Sequence, residues 1–263
     1  MNVTIIGLGG LGSALASGIV QSAVPDLALT LCARRPTDLE GLGGRTRLLL
    51  DSRDAVVDAD VVVLAVKPKG TPELLAHLIP ALHQDAVVVS CAAGVSLARL
   101  PGFGAVARAM PNIGAQQRVS TTGLFLGPGC LLTRDRARLH AVFGAVGAVR
   151  ELADESQFHA VTAVGASGPA FILLACEALA DAAVEQGLSR LDALAWTRAA
   201  VVAAAARLGN DGDGIEPQQV RALVTSPAGT TAAGLAALET HSVRAAFLEA
   251  VRAATMRSRE IST

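Results

Sequence analysis

Six residues near the N-terminus, Gly7-Leu8-Gly9-Gly10-Leu11-Gly12, have the glycine spacing of a loop that cradles a pyrophosphate. The apolar string 3–6 before them, ending in Ile6, reads as a strand, and residues 13–20 read as a helix; that context gives the spacing its meaning. Gly7 permits the tight turn, Gly9 lets a phosphate approach the backbone, and Gly12 lets helix and strand pack closely. The free N–H groups at the helix start face the anion. A second apolar string ends in Leu31-Cys32-Ala33-Arg34-Arg35, about twenty residues beyond the loop. NAD enzymes usually carry a carboxylate there for the ribose 2′-hydroxyl, whereas Arg34 and Arg35 suit a 2′-phosphate by charge and forked geometry. NADPH is the expected cofactor, with NADH the second choice.

Two further loops fall where strand ends should meet such a cofactor. Leu64-Ala65-Val66-Lys67-Pro68 closes one strand with a proline that breaks pairing, and Ser90-Cys91-Ala92-Ala93-Gly94-Val95 closes the next with small residues. Taken alone, Lys67 reads as a solvated surface lysine. Late in the chain, Ser226-Pro227-Ala228-Gly229-Thr230-Thr231 precedes a helical stretch. Its free N–H groups form an anion site and Gly229 permits close approach, although the same string is also an ordinary helix cap with proline in the first turn. The four cysteines lie far apart without CxxC pairing, and the five histidines lack ligand spacing. No metal site is expected, and Cys32, Cys91, Cys130 and Cys176 read as small hydrophobes.

The elements that must position these loops alternate through the first half. Residues 3–6, 27–31, 61–66, 86–90 and 105–109 read as strands, with a weaker one at 48–50 and two more near 121–126 and 149–152. Residues 10–21 and 72–81 supply crossover helices. Near-continuous apolar strands between helices predict a doubly wound α/β domain. From about Asp154 strand-like runs vanish, and residues 169–186, 191–208, 217–224, 231–239 and 243–261 predict five helices in a small bundle. Val243, Phe247, Val251 and Ala254 form an apolar stripe on the last of these. A helical half this apolar is an expected subunit interface.

Composition excludes other classes. Hydrophobic residues make up 51% of the chain and charged residues 17%, the net charge is −1, and Phe, Trp and Tyr number six, one and none. Without a basic stripe interleaved with aromatics, nucleic acid is not an expected partner. The longest clean apolar run is about eight residues, 199–206, against the ~20 of a spanning helix. The start Met1-Asn2-Val3-Thr4 shows no basic signal region, so the expected location is cytoplasmic, away from membranes.

In order and spacing, the motifs resemble the pyrroline-5-carboxylate reductase family over almost the whole chain. The 7–12 turn is followed by Leu64-Ala65-Val66-Lys67-Pro68, Ala92-Ala93-Gly94-Val95-Ser96, Arg108-Ala109-Met110-Pro111-Asn112 and Ser167-Gly168-Pro169-Ala170. Val224 through Thr231 and the pair Arg257-Ser258 complete the series. The resemblance implies an N-terminal Rossmann-type domain over residues 1–153 and an all-α dimerisation and substrate domain over 154–263. It implies NADPH-dependent reduction of 1-pyrroline-5-carboxylate to L-proline by a homodimer, or a higher homo-oligomer of dimers. It places the cofactor on Ile6, Gly7, Leu8, Gly9, Gly10, Leu11 and Gly12, on Ala65, Val66, Lys67 and Pro68, on Cys91, Ala92 and Ala93, and on Asn112. It assigns the substrate to Ser226, Gly229, Thr230 and Thr231, with the Thr231 hydroxyl on the ring nitrogen. No Lys, His or carboxylate stands at these positions as an acid; a protonated imine already carries the activating charge, and catalysis can rest on positioning.

Four departures bear on the substrate pocket: Ile113 and Gly165 each replace a residue that usually bears a hydroxyl, Ala228 replaces a second glycine, and His159 replaces a common Asp. The alternatives are a reductase of another cyclic imino acid, a β-hydroxy-acid dehydrogenase, and a dinucleotide-binding regulator without catalysis. Against the second, residues 170–188 contain no lysine.

Overall fold

The computed structural model describes residues 1–22, 24–34, 46–130, 132–208 and 214–262; Arg35 lies outside them. It opens with β1 (Asn2–Ile6), α1 (Gly10–Val20), β2 (Ala28–Cys32) and β3 (Thr46–Leu49). Next come β4 (Val61–Leu64), α2 (Thr71–Leu78), β5 (Val87–Ser90), β6 (Ala105–Met110), β7 (Ser120–Leu126), α3 (Thr133–Gly144) and β8 (Gly147–Glu151). Helices follow: α4 (Phe158–Val161), a π-helical turn (Thr162–Ala166), α5 (Gly168–Glu185) and α6 (Arg190–Arg207). α7 (Pro217–Leu223), α8 (Thr230–Thr240) and α9 (Val243–Ser262) close the chain.

The strands form one eight-stranded sheet in the order β3-β2-β1-β4-β5-β6-β7-β8. β1 to β6 pair in parallel, β7 is antiparallel to β6, and β8 is parallel to β7. A short connection holding one 3-10 turn (Ile113–Gln117) joins β6 to β7. It is too short for the crossover that parallel pairing needs, so the strand returns antiparallel. Val61 and Val63 of β4, with Val87 and Val89 of β5, pack on one face with Leu15 and Ile19 of α1 and with Leu139 and Phe143 of α3. Val62, Leu64 and Val88 pack on the other face with Leu75 and Leu78 of α2. Burial on both faces is why these strands read as unbroken apolar runs. Each such side chain contributes about 1.5–3 kcal/mol by leaving water. In α3, Arg134, Asp135, Arg136 and Arg138 crowd the first turns and mask its short apolar stripe, so the helix is not evident from the pattern.

By packing, the chain divides into two compact units, Met1–Ala166 with Ala254–Thr263, and Ser167–Ala253. This differs from a division at 153/154, because α4, the π-turn and the end of α9 pack with the sheet. Asp154 starts the helical run as a cap: its carboxylate accepts the Ser156 N–H at 2.6 Å, which holds its pKa below the usual carboxylate range. Within the second unit α5 and α6 pack on each other. Yet among its described residues only Ala180, Ala193 and Thr197 are buried, while Leu191 is 80% exposed, Trp196 69% and Leu174 67%. The single chain therefore gives these helices no sizeable core of their own.

The helical run Glu155–Glu185 is long and apolar enough to cross a bilayer by length and composition, with a mean hydropathy of 1.6. The run is a succession of short elements, with a π-helical turn (Thr162–Ala166) and a bend at Ser167 between α4 and α5.

The four cysteines are free; Cys32, Cys91 and Cys130 are buried and Cys176 partly so. Burial pushes the Cys91 thiol up to about 12 and, with the Asp135 carboxylate nearby, the Cys130 thiol up to about 11. Both stay protonated and inert at neutral pH. Among the described residues no group of three or more His, Cys, Asp and Glu side chains is placed to hold a metal ion.

Candidate active site

β1 ends at Ile6, and the chain turns sharply at Gly7, whose φ is +98° and whose N–H donates to the Cys32 carbonyl at 2.9 Å. A Cβ at Gly7 would lie 2.8 Å from the Ala65 carbonyl oxygen, and one at Gly12 would lie 1.9 Å from the Gly7 carbonyl oxygen. These two glycines are demanded by the protein itself. At Gly9 and Gly10 a Cβ would meet nothing within 4 Å, so the space over that turn is open to a ligand. Gly9 caps α1, no acidic residue occupies its first turn, and the first N–H groups of the helix face that space.

The sheet order supplies the crevice. From β1 the connections run outward through β2 to β3, and the chain then returns to place β4 on the other side of β1, a topological switch point beside the Gly-rich turn. A crevice of about 1160 Å³ opens there. Of the residues predicted to hold a cofactor, it is lined by Ile6, Gly7, Leu8, Gly9, Arg34, Ala65, Val66 and Lys67. Leu50, Ser52, Lys69, Gly70 and Leu74 also line it and were not foreseen. The neighbouring strand ends could have pointed to them: Leu50 and Ser52 follow β3, and Lys69 lies two positions beyond Lys67. Its described lining contains the cations Arg34, Lys67 and Lys69 and no carboxylate, a balance suited to a polyanion.

Gly10, Leu11, Gly12, Pro68, Cys91, Ala92, Ala93 and Asn112 are not among the residues lining this crevice. The Cys91-Ala92-Ala93 loop nonetheless sits at the same edge, since Ile6 pairs with Leu64 and Leu64 with Ser90. The Cys91 N–H donates to the Leu64 carbonyl at 3.0 Å. Behind this loop Arg108, only 5% exposed, pairs with Glu155 at 2.8 Å and lies 4.2 Å from the centre of the Phe158 ring. The same Glu155 oxygen accepts the Leu97 N–H at 2.7 Å. Asn112 is engaged elsewhere: its Oδ1 accepts the Gly114 N–H and its Nδ2 donates to the Gly165 carbonyl, each at 2.9 Å.

The string 226–231 lies in the helical unit. The Gly229 N–H donates to the Ser226 carbonyl at 3.1 Å, and a Cβ at Gly229 would lie 2.3 Å from Ser226 Oγ, so a larger residue there would displace that hydroxyl. Gly229 caps α8 without a side-chain cap, leaving Thr230 and Thr231 exposed in the first turn. Ala228 is held at φ +59°, the left-handed region, where a glycine would be unstrained.

A family model described as pyrroline-5-carboxylate reductase dimerisation matches residues 155–261. Another, described as NADP oxidoreductase, coenzyme F420-dependent, matches residues 2–94. The pyrroline-5-carboxylate reductase of Arabidopsis thaliana is 37% identical to this chain, covering 99% of it and 95% of the plant protein. The chain belongs to the pyrroline-5-carboxylate reductase family. The pyrroline-5-carboxylate reductase of Methanosarcina acetivorans is 36% identical over 98% of this chain and 97% of its own length. The solved pyrroline-5-carboxylate reductase of Coxiella burnetii, 30% identical, superposes over 100% of this chain and 98% of its own with a TM-score of 0.86. The resemblance carried by the ordered motifs is thus a pyrroline-5-carboxylate reductase kinship along the whole chain.

Proposed function

We propose that this chain reduces the ring imine of 1-pyrroline-5-carboxylate to L-proline, the last step of proline biosynthesis, with NADPH as donor and NADH as a weaker substitute. The observation that carries it is the crevice at the switch point, lined by Gly7, Leu8 and Gly9 of the Gly-rich turn and by Arg34, Lys67 and Lys69, with no carboxylate among its described residues. An NAD-preferring site would place an acidic side chain at the end of β2.

The residues fit a dinucleotide: the open space over Gly9 and Gly10 takes a pyrophosphate, and Arg34, with Arg35, takes the 2′-phosphate. Bound NADPH supplies a hydride to the imine carbon, and the protonated ring nitrogen becomes the amine of proline. The first N–H groups of α8, with Ser226, Gly229 and Thr230, hold the substrate carboxylate. The Thr231 hydroxyl orients the ring nitrogen. No side-chain acid is required, because the imine enters protonated and the remaining task is alignment. Residues 1–153 serve as the NADP-binding domain and 154–263 as the dimerisation and substrate domain.

We also propose a cytoplasmic homodimer, or an oligomer of dimers, that engages neither membrane nor nucleic acid. The apolar side chains left bare on α5 and α6 are then covered by a second subunit, and the length of the Glu155–Glu185 run reflects that interface. Mixing the protein with NADPH and 1-pyrroline-5-carboxylate tests the reaction. The expected result is loss of the reduced-nicotinamide absorbance with proline formed in equal amount. NADPH binding without turnover would leave a dinucleotide-binding protein and overturn the enzymatic reading.

A further inference from the structure

The end of α9 returns to the sheet and ends on the loop that follows β5. Gly94, in that loop, has φ +73°, and a Cβ there would lie 2.9 Å from Ile261 Cγ2 and 3.2 Å from the Ile261 carbonyl carbon. The glycine is therefore required twice over, once by its backbone angle and once by the side chain resting on it. Five residues on, Arg99 Nη1 donates to the Ser262 carbonyl at 3.0 Å. That carbonyl belongs to the last turn of α9, whose final C=O groups have no partner within the helix and carry its negative pole, so a guanidinium is the fitting cap. One turn back, Ser258 is buried, with its Oγ 3.0 Å from His159 Nδ1 on α4, which fixes the helix end on the sheet unit.

We infer that the last turn of α9 is a brace for the cofactor loop, with Ile261 and Arg99 as positioning residues that set where Cys91, Ala92 and Ala93 lie. The inference rests on the proposal that those three residues border the nicotinamide end of NADPH. Neither Ile261 nor Arg99 touches the reacting atoms; both act through the loop between Ser90 and Arg99. The Glu155 carboxylate also holds the loop at the Leu97 N–H, while Ile261 bears on its middle at Gly94 and Arg99 ties its far end to α9.

The test uses the full chain carrying Ile261→Ala or Arg99→Ala, with Ile261→Val and Arg99→Lys as conservative partners. Arg99 is on the surface, and its removal leaves the core intact. Kinetic constants, NADPH affinity by fluorescence, melting temperature and oligomer mass are read for each. Both alanine variants should lower kcat/KM for NADPH about tenfold, leaving the KM for the imine, the melting temperature and the mass nearly unchanged. Val and Lys should restore most of the loss. Alanine variants with wild-type NADPH constants would overturn the brace, as would losses in every parameter that track melting temperature. A wild-type protein that binds no NADPH would overturn the cofactor reading itself, and the brace with it.

Discussion

The amide nitrogen of Asn112 donates to the main-chain carbonyl of Gly165 at 2.9 Å, tying the end of β6 to the π-helical turn. A π-turn breaks the regular ladder of helix hydrogen bonds and leaves carbonyls for other donors, and such turns recur at functional sites. Here the freed carbonyl is answered by a side chain whose other amide atom is also committed, to the Gly114 N–H.

Replacing Asn112 by Asp keeps the acceptor for Gly114 but sets a carboxylate against the Gly165 carbonyl. Stability should fall by about 1–3 kcal/mol, the range for a lost buried partner, read as a lower urea midpoint. Unchanged stability with weakened NADPH binding would instead make Asn112 a direct cofactor contact.

Arg34 should decide cofactor choice. Arg34→Ala removes a charge-assisted contact worth about 1.5–3 kcal/mol, or one to two powers of ten in NADPH affinity, with little effect on NADH. Equal losses for both cofactors, measured by fluorescence titration, would reduce it to a surface residue.

Thr231→Ala should lower turnover by about one to two powers of ten, the worth of a hydrogen bond to a charged group made mainly in the transition state. NADPH affinity should not change, and Thr231→Ser should recover much of the rate. Alanine and serine variants that behave alike would leave the residue as part of a helix start, and the substrate site would then lie elsewhere.

In solution the protein should have at least twice the 26.7 kDa chain mass, because Leu174, Leu191 and Trp196 are bare in the single chain. Light scattering at micromolar concentration reads this directly. Trp196→Asp should lower the mass to that of a monomer and destabilise the helical unit; a wild-type monomer would overturn the interface.

Ala228→Gly relieves the left-handed strain of about 1–2 kcal/mol but adds chain entropy of about 0.5–1 kcal/mol to the unfolded state. The net expectation is a gain of up to about 1.5 kcal/mol, seen as a small rise in melting temperature. A fall would show that the chain is unstrained at this turn.

Much of this protein is legible in the chain itself, where the physics is local. The run Val61, Val62, Val63, Leu64 states that both faces of a strand are buried, and Gly7 and Gly12 state a turn that no side chain tolerates. The ends of α5 and α6 lie within one or two residues of what Gly187 and Gly209 imply. Contacts distant in sequence were decided only by the tertiary structure. The antiparallel return of β7 depends on which strand edge is free, and the pairing of Arg108 with Glu155 joins residues whose spacing carries no sign of contact. Lys69 enters the crevice because β4 ends beside β1, and Ser52 because β3 ends beside β2, a consequence of sheet order rather than of any motif. Asn112 read as a ligand by its place in a string, and only the fold shows its side chain bonded to Gly114 and to Gly165 of the π-turn. The seat of α9 on Gly94 belongs to the same class. Glycine at 94 announces a special backbone angle, but only the packed fold brings Ile261 to it, because a contact between residues so far apart forms only when the whole chain has paid the entropy of closing the loop between them.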